Sequence, residues 1–300
     1  MRTLLLILLL VPMMSFGQNV YIPDANFKGI LVNNTAINTN GDSEIQVSEA
    51  SAFTGPFNCS DSNISDLTGI EAFTALTELY CSFNQLTSLD VSNNTALTEL
   101  YCCCAGLTSL DVSSNTALRL LIADDNELTS LDVSSNTALE YLSCYRNELT
   151  SLDVSNNTAL RTLYCHRNNL TSLDVSNNTA LTSISCFQNE LECLNVKNGN
   201  NTAFFEDISF LPNPNLTCIE VDDVEWSTSN WADCLDSQTS FSENCNNACS
   251  NSTNGINELT TTKNLIQILD MLGIETPFKP NIPLLYIYDD GTVERKVVLK

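Results

Sequence analysis

Leucine recurs along the chain in a 21-residue pattern, L-x-x-L-x-C-x-x-N-x-L-x-x-L-D-V-S-x-N-T-A. The segment that begins at Leu86 returns with few changes at Leu107, Leu128, Leu149 and Leu170. A fixed period of this length indicates a solenoid, in which each coil buries its apolar face against its neighbours. The pattern predicts such an array over residues 64–196.

Within one coil the pattern changes from strand spacing to a longer turn. Alternate residues of the stretch from Leu79 to Ser82 point inward, which is typical of a β-strand. The spacing Leu76-x-x-Leu79-x-Cys81-x-x-Asn84-x-Leu86 resembles the conserved segment of leucine-rich repeats. The resemblance implies an α/β-type solenoid, mostly β, with a parallel sheet on its concave side. Its interior is predicted to hold stacked leucine and valine rows.

Three further rows repeat with the leucines. One position accepts Cys or Ala, so it predicts small, buried thiols: Cys81, Cys102, Ala123, Cys144, Cys165 and Cys186. A second row predicts turns in which side-chain amides bond to the backbone: Asn84, Asn126, Asn147, Asn168 and Asn189. Ala105 interrupts that row beside Cys103, Cys104 and Gly106, so we expect one irregular coil there.

The third row is acidic and consists of Asp90, Asp111, Asp132, Asp153 and Asp174. Stacked about 4.8 Å apart, these carboxylates would repel each other. Two interpretations are open. Cations bind along the row, or hydroxyl and amide donors from residues such as Ser92, Asn94 and Thr95 hold each carboxylate, which is the interpretation we favour.

Residues 18–63 are predicted to form an N-terminal cap that covers the first coil. Pro23-Asp24 is typical of a helix start. The following loop resembles an EF-hand calcium loop, with candidate ligands Asn38, Asn40, Asp42, Glu44, Gln46 and Glu49 at positions 1, 3, 5, 7, 9 and 12. Position 1 is Asn, however, and Ser43 replaces the usual glycine. A bound Ca²⁺ and a plain polar turn are both open.

Residues 197–249 are predicted to form a C-terminal cap that contains Trp226 and Trp231. The cysteines near or within this cap lie outside the thiol row and are the better disulfide candidates. They are Cys193, Cys218, Cys234, Cys245 and Cys249. Our first expectation is a bond between Cys193 and Cys218.

The two ends of the chain indicate export. Residues 1–17 combine one basic residue, an apolar run and a small-residue exit, the pattern of a secretory signal peptide. Residues 250–255 are typical of a linker. Residues 256–300 resemble the sorting domains of type IX secretion cargo, although Ile274 stands where those domains usually carry Arg. The resemblance implies the type IX machinery as a partner and a secreted or cell-surface location, reached through the periplasm of a Gram-negative bacterium.

Charge narrows the choice of partners. The formal net charge is −24, from 36 acidic against 12 basic residues. Phosphate binding needs clustered Lys and Arg, so nucleic acid and anionic lipid are poor partners.

Several of the few basic residues nevertheless fall close to aromatic ones in adjacent coils. Equivalent positions predict one exposed concave patch formed by Tyr145, Arg146, Tyr164, His166, Arg167 and Phe187. Tyr and Arg are enriched at interface hot spots.

The sequence predicts a non-enzymatic protein. His166 is the sole histidine and has no acid in the adjacent coil of its row. The leading hypothesis is an exported binding or adhesion protein that recognises a protein or glycan on its concave face. The alternative is a calcium-stabilised structural component of the cell surface or matrix.

Overall fold

The computed structural model describes residues 17–204, 206–245, 249, 265–269, 284–288 and 293–296. The chain divides into two compact units, Met1–Asn251 and Ser252–Lys300. The predicted signal peptide, apart from Gly17, and the predicted linker lie outside the described residues. Within the described ranges, no helix is both long and apolar enough to cross a bilayer.

Among its described residues, the larger unit contains three α-helices, α1 (Ala25–Asn33), α2 (Val47–Ala52) and α3 (Val224–Trp231). Short 3-10 helices lie at Ile70–Ala72, Asn201–Ala203 and Ala232–Cys234. Its strands are β1 (Gly55–Asn58), β2 (Leu76–Tyr80), β3 (Glu99–Tyr101), β4 (Leu120–Ile122), β5 (Tyr141–Ser143), β6 (Thr162–Tyr164), β7 (Ser172–Asp174), β8 (Ser183–Ser185), β9 (Cys193–Asn195), β10 (Glu206–Ser209), β11 (Cys218–Glu220) and β12 (Ser240–Ser242).

Eight parallel strands form the main sheet, in the order β1-β2-β3-β4-β5-β6-β8-β10. From β2 to β8 each coil adds one strand in strict register, so that Leu79 pairs with Leu100 and Leu100 with Leu121. The inward leucines of these strands are fully buried in one continuous core. The structure confirms the predicted solenoid of 21-residue coils with a parallel sheet.

A second parallel sheet was not predicted. It has the order β12-β11-β9-β7 and begins in the coil that contains Asp174. In the earlier coils the equivalent segment forms one isolated bridge, between Asp90 and Asp111. The L-D-V-S segment is the same in most coils, so the repeat pattern gave no signal for this difference.

The thiol row is buried as predicted, and the cysteines of that row are fully shielded from solvent. Cys59 extends the row into the cap, with 1% of its surface exposed. Burial raises the pKa of Cys59 and of Cys186 to about 12. Thiols in this row therefore stay protonated and act as small apolar side chains.

The asparagine row also behaves as predicted. The side-chain oxygen of Asn147 accepts the amide of Leu128 (3.0 Å), and its NH₂ group donates to the carbonyls of Ala123 and Cys144 (2.9 and 3.0 Å). Each asparagine thus fastens its own turn to the preceding coil. Asn213 continues the row beyond Asn189, at a spacing that breaks the 21-residue period.

A second asparagine row lies in the N-T-A turns, where sequence reasoning missed it. Asn136 is fully buried, and its NH₂ group donates to the carbonyls of Val112 and Asn115 at 2.9 Å each. The same two bonds recur throughout the row, which comprises Asn94, Asn115, Asn136, Asn157 and Asn178. Strict recurrence of Asn at 21-residue spacing was the available signal.

The aspartate row is held by local hydrogen bonds, as favoured from the sequence. Asp90 accepts the backbone amide of Ser92 at 2.9 Å, and each later aspartate accepts the equivalent amide. The hydroxyl and amide of Ser92 hold the pKa of Asp90 below its usual value. Asn94 is not one of these donors, because its side chain points into the core and bonds to Ile70 and Phe73.

The N-terminal cap closes the array with aromatic packing. Asp24 begins α1 as predicted, since its carboxylate accepts the amides of Asn26 and Phe27. Phe57 packs between Phe27 and Phe73, with ring centroids 6.1 and 6.2 Å apart. These buried rings cover the apolar end of the first coil.

The C-terminal cap packs several aromatic rings around Trp231, including Phe204, Phe210 and Trp226. Its disulfides join Cys193 to Cys249 and Cys218 to Cys245, so the expected Cys193–Cys218 bond was wrong. These two cysteines are neighbours on β9 and β11. Each pairs instead with a cysteine from the end of the cap, at Cα separations of 5.4 and 5.8 Å that lie within the usual disulfide range.

The described residues of the smaller unit form one antiparallel sheet of three strands, β13 (Leu265–Leu269), β14 (Leu284–Tyr288) and β15 (Val293–Lys296). These strands coincide with the apolar runs of the predicted sorting domain. Its assignment to type IX secretion stays a prediction.

Candidate functional site

The candidate site lies at the carboxyl edge of the main sheet, where each strand turns away. One residue in each coil adopts a left-handed conformation with φ between 50° and 57°: Phe83, Cys104, Asp125, Arg146, Arg167 and Gln188. This conformation is unusual for residues other than glycine. It ends the strand. The sequence had suggested that the rows of Tyr145 and Arg146 lie within the strands, but they lie just beyond them.

Three rings from consecutive coils stack at this edge. The His166 ring lies between Tyr145 and Phe187, with centroids 4.5 and 4.3 Å away and interplanar angles of 7° and 11°. Tyr164, on β6, meets His166 edge-on at 6.5 Å. The structure therefore brings together the four predicted rings. We call Tyr145, His166 and Phe187 the ring stack.

Two arginines flank the ring stack, and their surroundings differ. Arg146 forms an ion pair with Asp125 at 2.9 Å. Arg167 forms no ion pair within the described part of the chain. Its Nε donates to Gln188 at 2.7 Å, and its guanidinium lies 5.9 Å from the centre of the Phe187 ring. Arg167 is thus an oriented, exposed cation on an acidic protein.

Burial in the ring stack, and next the charge of Arg167, lower the pKa of His166 to about 4. The Nδ1 atom of His166 is buried and has no hydrogen-bond partner within the described residues. At neutral pH the ring is therefore uncharged, and it acts as a flat aromatic surface rather than a base.

Asp124 lies one coil before Tyr145 and was not among the predicted site residues. It is 5% exposed and accepts the Ser143 hydroxyl at 2.6 Å and the Tyr145 amide at 3.1 Å. Burial raises the pKa of Asp124 to about 6. Through the amide of Tyr145, this carboxylate fixes the first ring of the stack.

The concave surface of the first coils has a different character. Tyr80 and Tyr101 stack at 4.4 Å, and their hydroxyls donate to Glu78 and Glu99 at 2.8 and 3.0 Å. Aromatic rings thus occur at both ends of the concave surface. Arginines accompany only the rings of the later coils, among the residues that the structure describes.

The oxygen groups of the predicted calcium loop bond within the cap. Glu49 accepts the amides of Thr39, Asn40 and Gln46 and the Thr39 hydroxyl. Asn38 donates to the carbonyls of Val32 and Asp42.

The other predicted ligands are similarly engaged. Asp42 accepts the side-chain amides of Asn40 and Gln46, and Glu44 pairs with Lys28 at 2.7 Å. Within the described ranges, no three His, Cys, Asp or Glu side chains are grouped as metal ligands. A calcium ion would have to displace several of these bonds, and the site stays a prediction.

The coils, the concave sheet and the buried asparagine rows define a leucine-rich repeat solenoid. No protein-family model matches the chain. Over 76 residues, 25% of this chain and 8% of the relative, it is 43% identical to internalin J of Listeria monocytogenes.

A solved structure supports the same comparison. It is the functional domain of InlJ from Listeria monocytogenes, which includes a cysteine ladder. The TM-score is 0.58 at 38% identity, over 69% of this chain and 49% of that one. The chain therefore has a fold that matches leucine-rich repeat structures, and it spans less than half the length of either internalin J match.

Proposed function

We propose that this protein is an exported, non-enzymatic binding or adhesion protein that recognises a protein partner at the carboxyl edge of its concave sheet. The observation that carries the proposal is the ring stack with its two arginines. Aromatic rings and arginine guanidiniums dominate binding energy at protein interfaces.

The state of Arg167 supports this assignment. Held by Gln188 and Phe187, it loses little conformational freedom when a partner binds, which lowers the entropic cost of association. Because it has no carboxylate partner among the described residues, it can meet an acidic group of the ligand. The surrounding negative charge favours a ligand with basic groups elsewhere on its surface.

The internalin-like coils add a second line of support, since leucine-rich repeats suit protein binding over an extended surface. Export through the type IX machinery and display at the cell surface rest on the sequence patterns at the two ends of the chain.

The test is a binding screen of the exported chain against arrays of surface proteins and glycans. The double variant Arg146→Ala/Arg167→Ala should lose a saturable hit. The matched control is Arg119→Ala/Arg161→Ala, which also removes two cations, but from a different row where both contact Glu140. Equal binding by the two double variants would overturn the proposal. A hit on glycans alone would replace the protein partner with a carbohydrate.

A further inference from the structure

The described part of the chain contains nine free cysteines, and all except Cys234 fall into two environments. Six belong to the buried thiol row and are at most 1% exposed. Cys103 and Cys104 are instead partly exposed at the concave edge. Other coils carry Ser82 and Phe83 or Asp124 and Asp125 there, so packing does not require thiols at these positions.

The two thiols of this pair contact each other. The Cys104 thiol is hydrogen-bonded to Cys103. Burial, and next that hydrogen bond, raise the pKa of Cys104 to about 12. Cys104 therefore keeps its proton, which leaves Cys103 as the first thiol to attack an electrophile.

The same coil lacks the clamp that fastens the other turns. In the next coil Asn126 donates to the carbonyl of Ala123, three residues before it. Ala105 cannot make the equivalent bond to Cys102. Gly106 adopts φ of 85°, and its amide bonds to the side chain of Asn126 rather than to the preceding coil. The predicted irregularity is thus real, because the backbone amides of Ala105, Gly106 and Leu107 all bond to Asn126 of the next coil and the turn has no asparagine of its own.

We propose that Cys103 and Cys104 form a modification site that small disulfides oxidise to a reversible vicinal disulfide. The Cys103 thiolate attacks the reagent disulfide and releases one thiolate, which leaves a mixed disulfide on Cys103. Cys104 then gives its proton to solvent, and its thiolate attacks the Cys103 sulfur and expels the second thiolate of the reagent. The protein loses two hydrogens and the reagent is reduced to two thiols.

The geometry explains why the bond would be reversible. Adjacent Cα atoms are about 3.8 Å apart across a trans peptide, below the usual disulfide range of about 4.4–6.8 Å. Closure therefore strains the turn, and strained, exposed disulfides are easily reduced. The site lies in the coil two before the one that carries Tyr145, on the same edge of the sheet as the ring stack.

The test treats the intact chain with cystamine, a small disulfide. Free thiols are then alkylated and mapped by mass spectrometry. We expect Cys103 and Cys104 to lose alkylation together, without a cysteamine adduct, and to regain it under mild dithiothreitol. Cys234, a single half-buried thiol, is the internal control and can form only an adduct.

Two variants sharpen this test. Cys104→Ser should stop at a stable cysteamine adduct on Cys103, because no resolving thiol is left. Ala105→Asn restores the missing clamp and should slow closure. A persistent adduct on the wild-type pair, or alkylation of both residues after cystamine, would overturn the proposal. Circular dichroism before and after treatment checks that the solenoid stays folded. The buried thiol row then stays protected and does not contribute to the alkylation pattern.

Discussion

The two ends of each coil follow opposite rules. At the N-T-A turn the sequence hardly changes from coil to coil, and every asparagine makes the same two buried bonds. At the carboxyl edge of the strands the backbone repeats equally well, with φ between 50° and 57° in each coil, while the side chain at that position varies widely. The turn edge is built for stability, and the concave edge is built to vary.

This contrast locates function more sharply than composition does. A repeat position that never varies serves the stacking of coils, and a position that varies on a constant backbone is free to serve recognition. The concave edge combines a fixed backbone with free choice of side chain. Its ring stack therefore arises in three coils without altering the core.

The largest expected effect tests the turn edge. Asn136→Ala removes two buried hydrogen bonds and leaves a small void, so we expect the free energy of unfolding to fall by about 2–3 kcal/mol. Urea unfolding measures it. The matched control is the exposed neighbour Ser135→Ala, which should stay within about 0.5 kcal/mol. A similar loss of unfolding free energy in both variants would show that the buried asparagine contributes no more to stability than its exposed neighbour.

A variant in the N-terminal cap tests whether buried side-chain to backbone hydrogen bonds also stabilise the protein outside the repeats. Glu49→Gln weakens a carboxylate that accepts several backbone amides, so we expect a loss of about 1–3 kcal/mol in chelator-treated buffer. Thr39→Ala removes one of the donors and should cost less. If instead calcium raises the melting temperature of the wild type and not of Asp42→Asn, the loop is the calcium site that its sequence predicts.

The pH dependence of this cap has a definite sign. Burial would raise the pKa of Glu49, but the hydrogen bonds from Gln46, Asn40 and Thr39 outweigh it and lower that pKa below 4.5. The folded state therefore binds its proton less tightly than the unfolded state. The contribution of Glu49 to the free energy of unfolding is fully present above its pKa in the unfolded state. That contribution is lost as the pH falls through its pKa in the folded state. Glu49→Gln should flatten this part of the acid unfolding curve.

The concave edge should respond in the opposite way to substitution. Arg167→Ala breaks one exposed hydrogen bond and one ring contact, so we expect a stability change within about 0.5 kcal/mol. Binding of a partner found in the screen should fall strongly. A loss of stability comparable to that of Asn136→Ala would mean that this edge also holds the coils together.

The smallest effect concerns His166, whose single imidazole signal can be followed by NMR. We expect its titration midpoint at about 4 rather than at the ordinary 6.5. Because the folded pKa is lowered, the unfolded state binds more protons between these values, and stability from this residue falls as pH drops from 6.5 towards 4. Arg167→Ala should move the midpoint upward. A wild-type midpoint near 6.5 would show that the ring stack is open to solvent.

The sequence alone determined the solenoid, its coil length and its buried rows. The reason is that each coil contacts mainly its neighbours, so the period of Leu76, Leu79 and their equivalents fixes the three-dimensional stacking directly. The equivalence of positions also predicts that Tyr145, His166 and Phe187 lie side by side in consecutive coils.

Features that break the period needed the tertiary structure. The cysteines of the C-terminal cap do not repeat, so only the path of the chain in three dimensions determines that Cys193 bonds to Cys249. Packing between coils determines three other features: the inward orientation of the Asn94 side chain, the second sheet and the burial of Asp124. Nearly identical repeat sequences do not indicate these differences in packing. Periodicity transmits local geometry along a chain, but hydrogen-bond partners and burial are properties of the assembled coils.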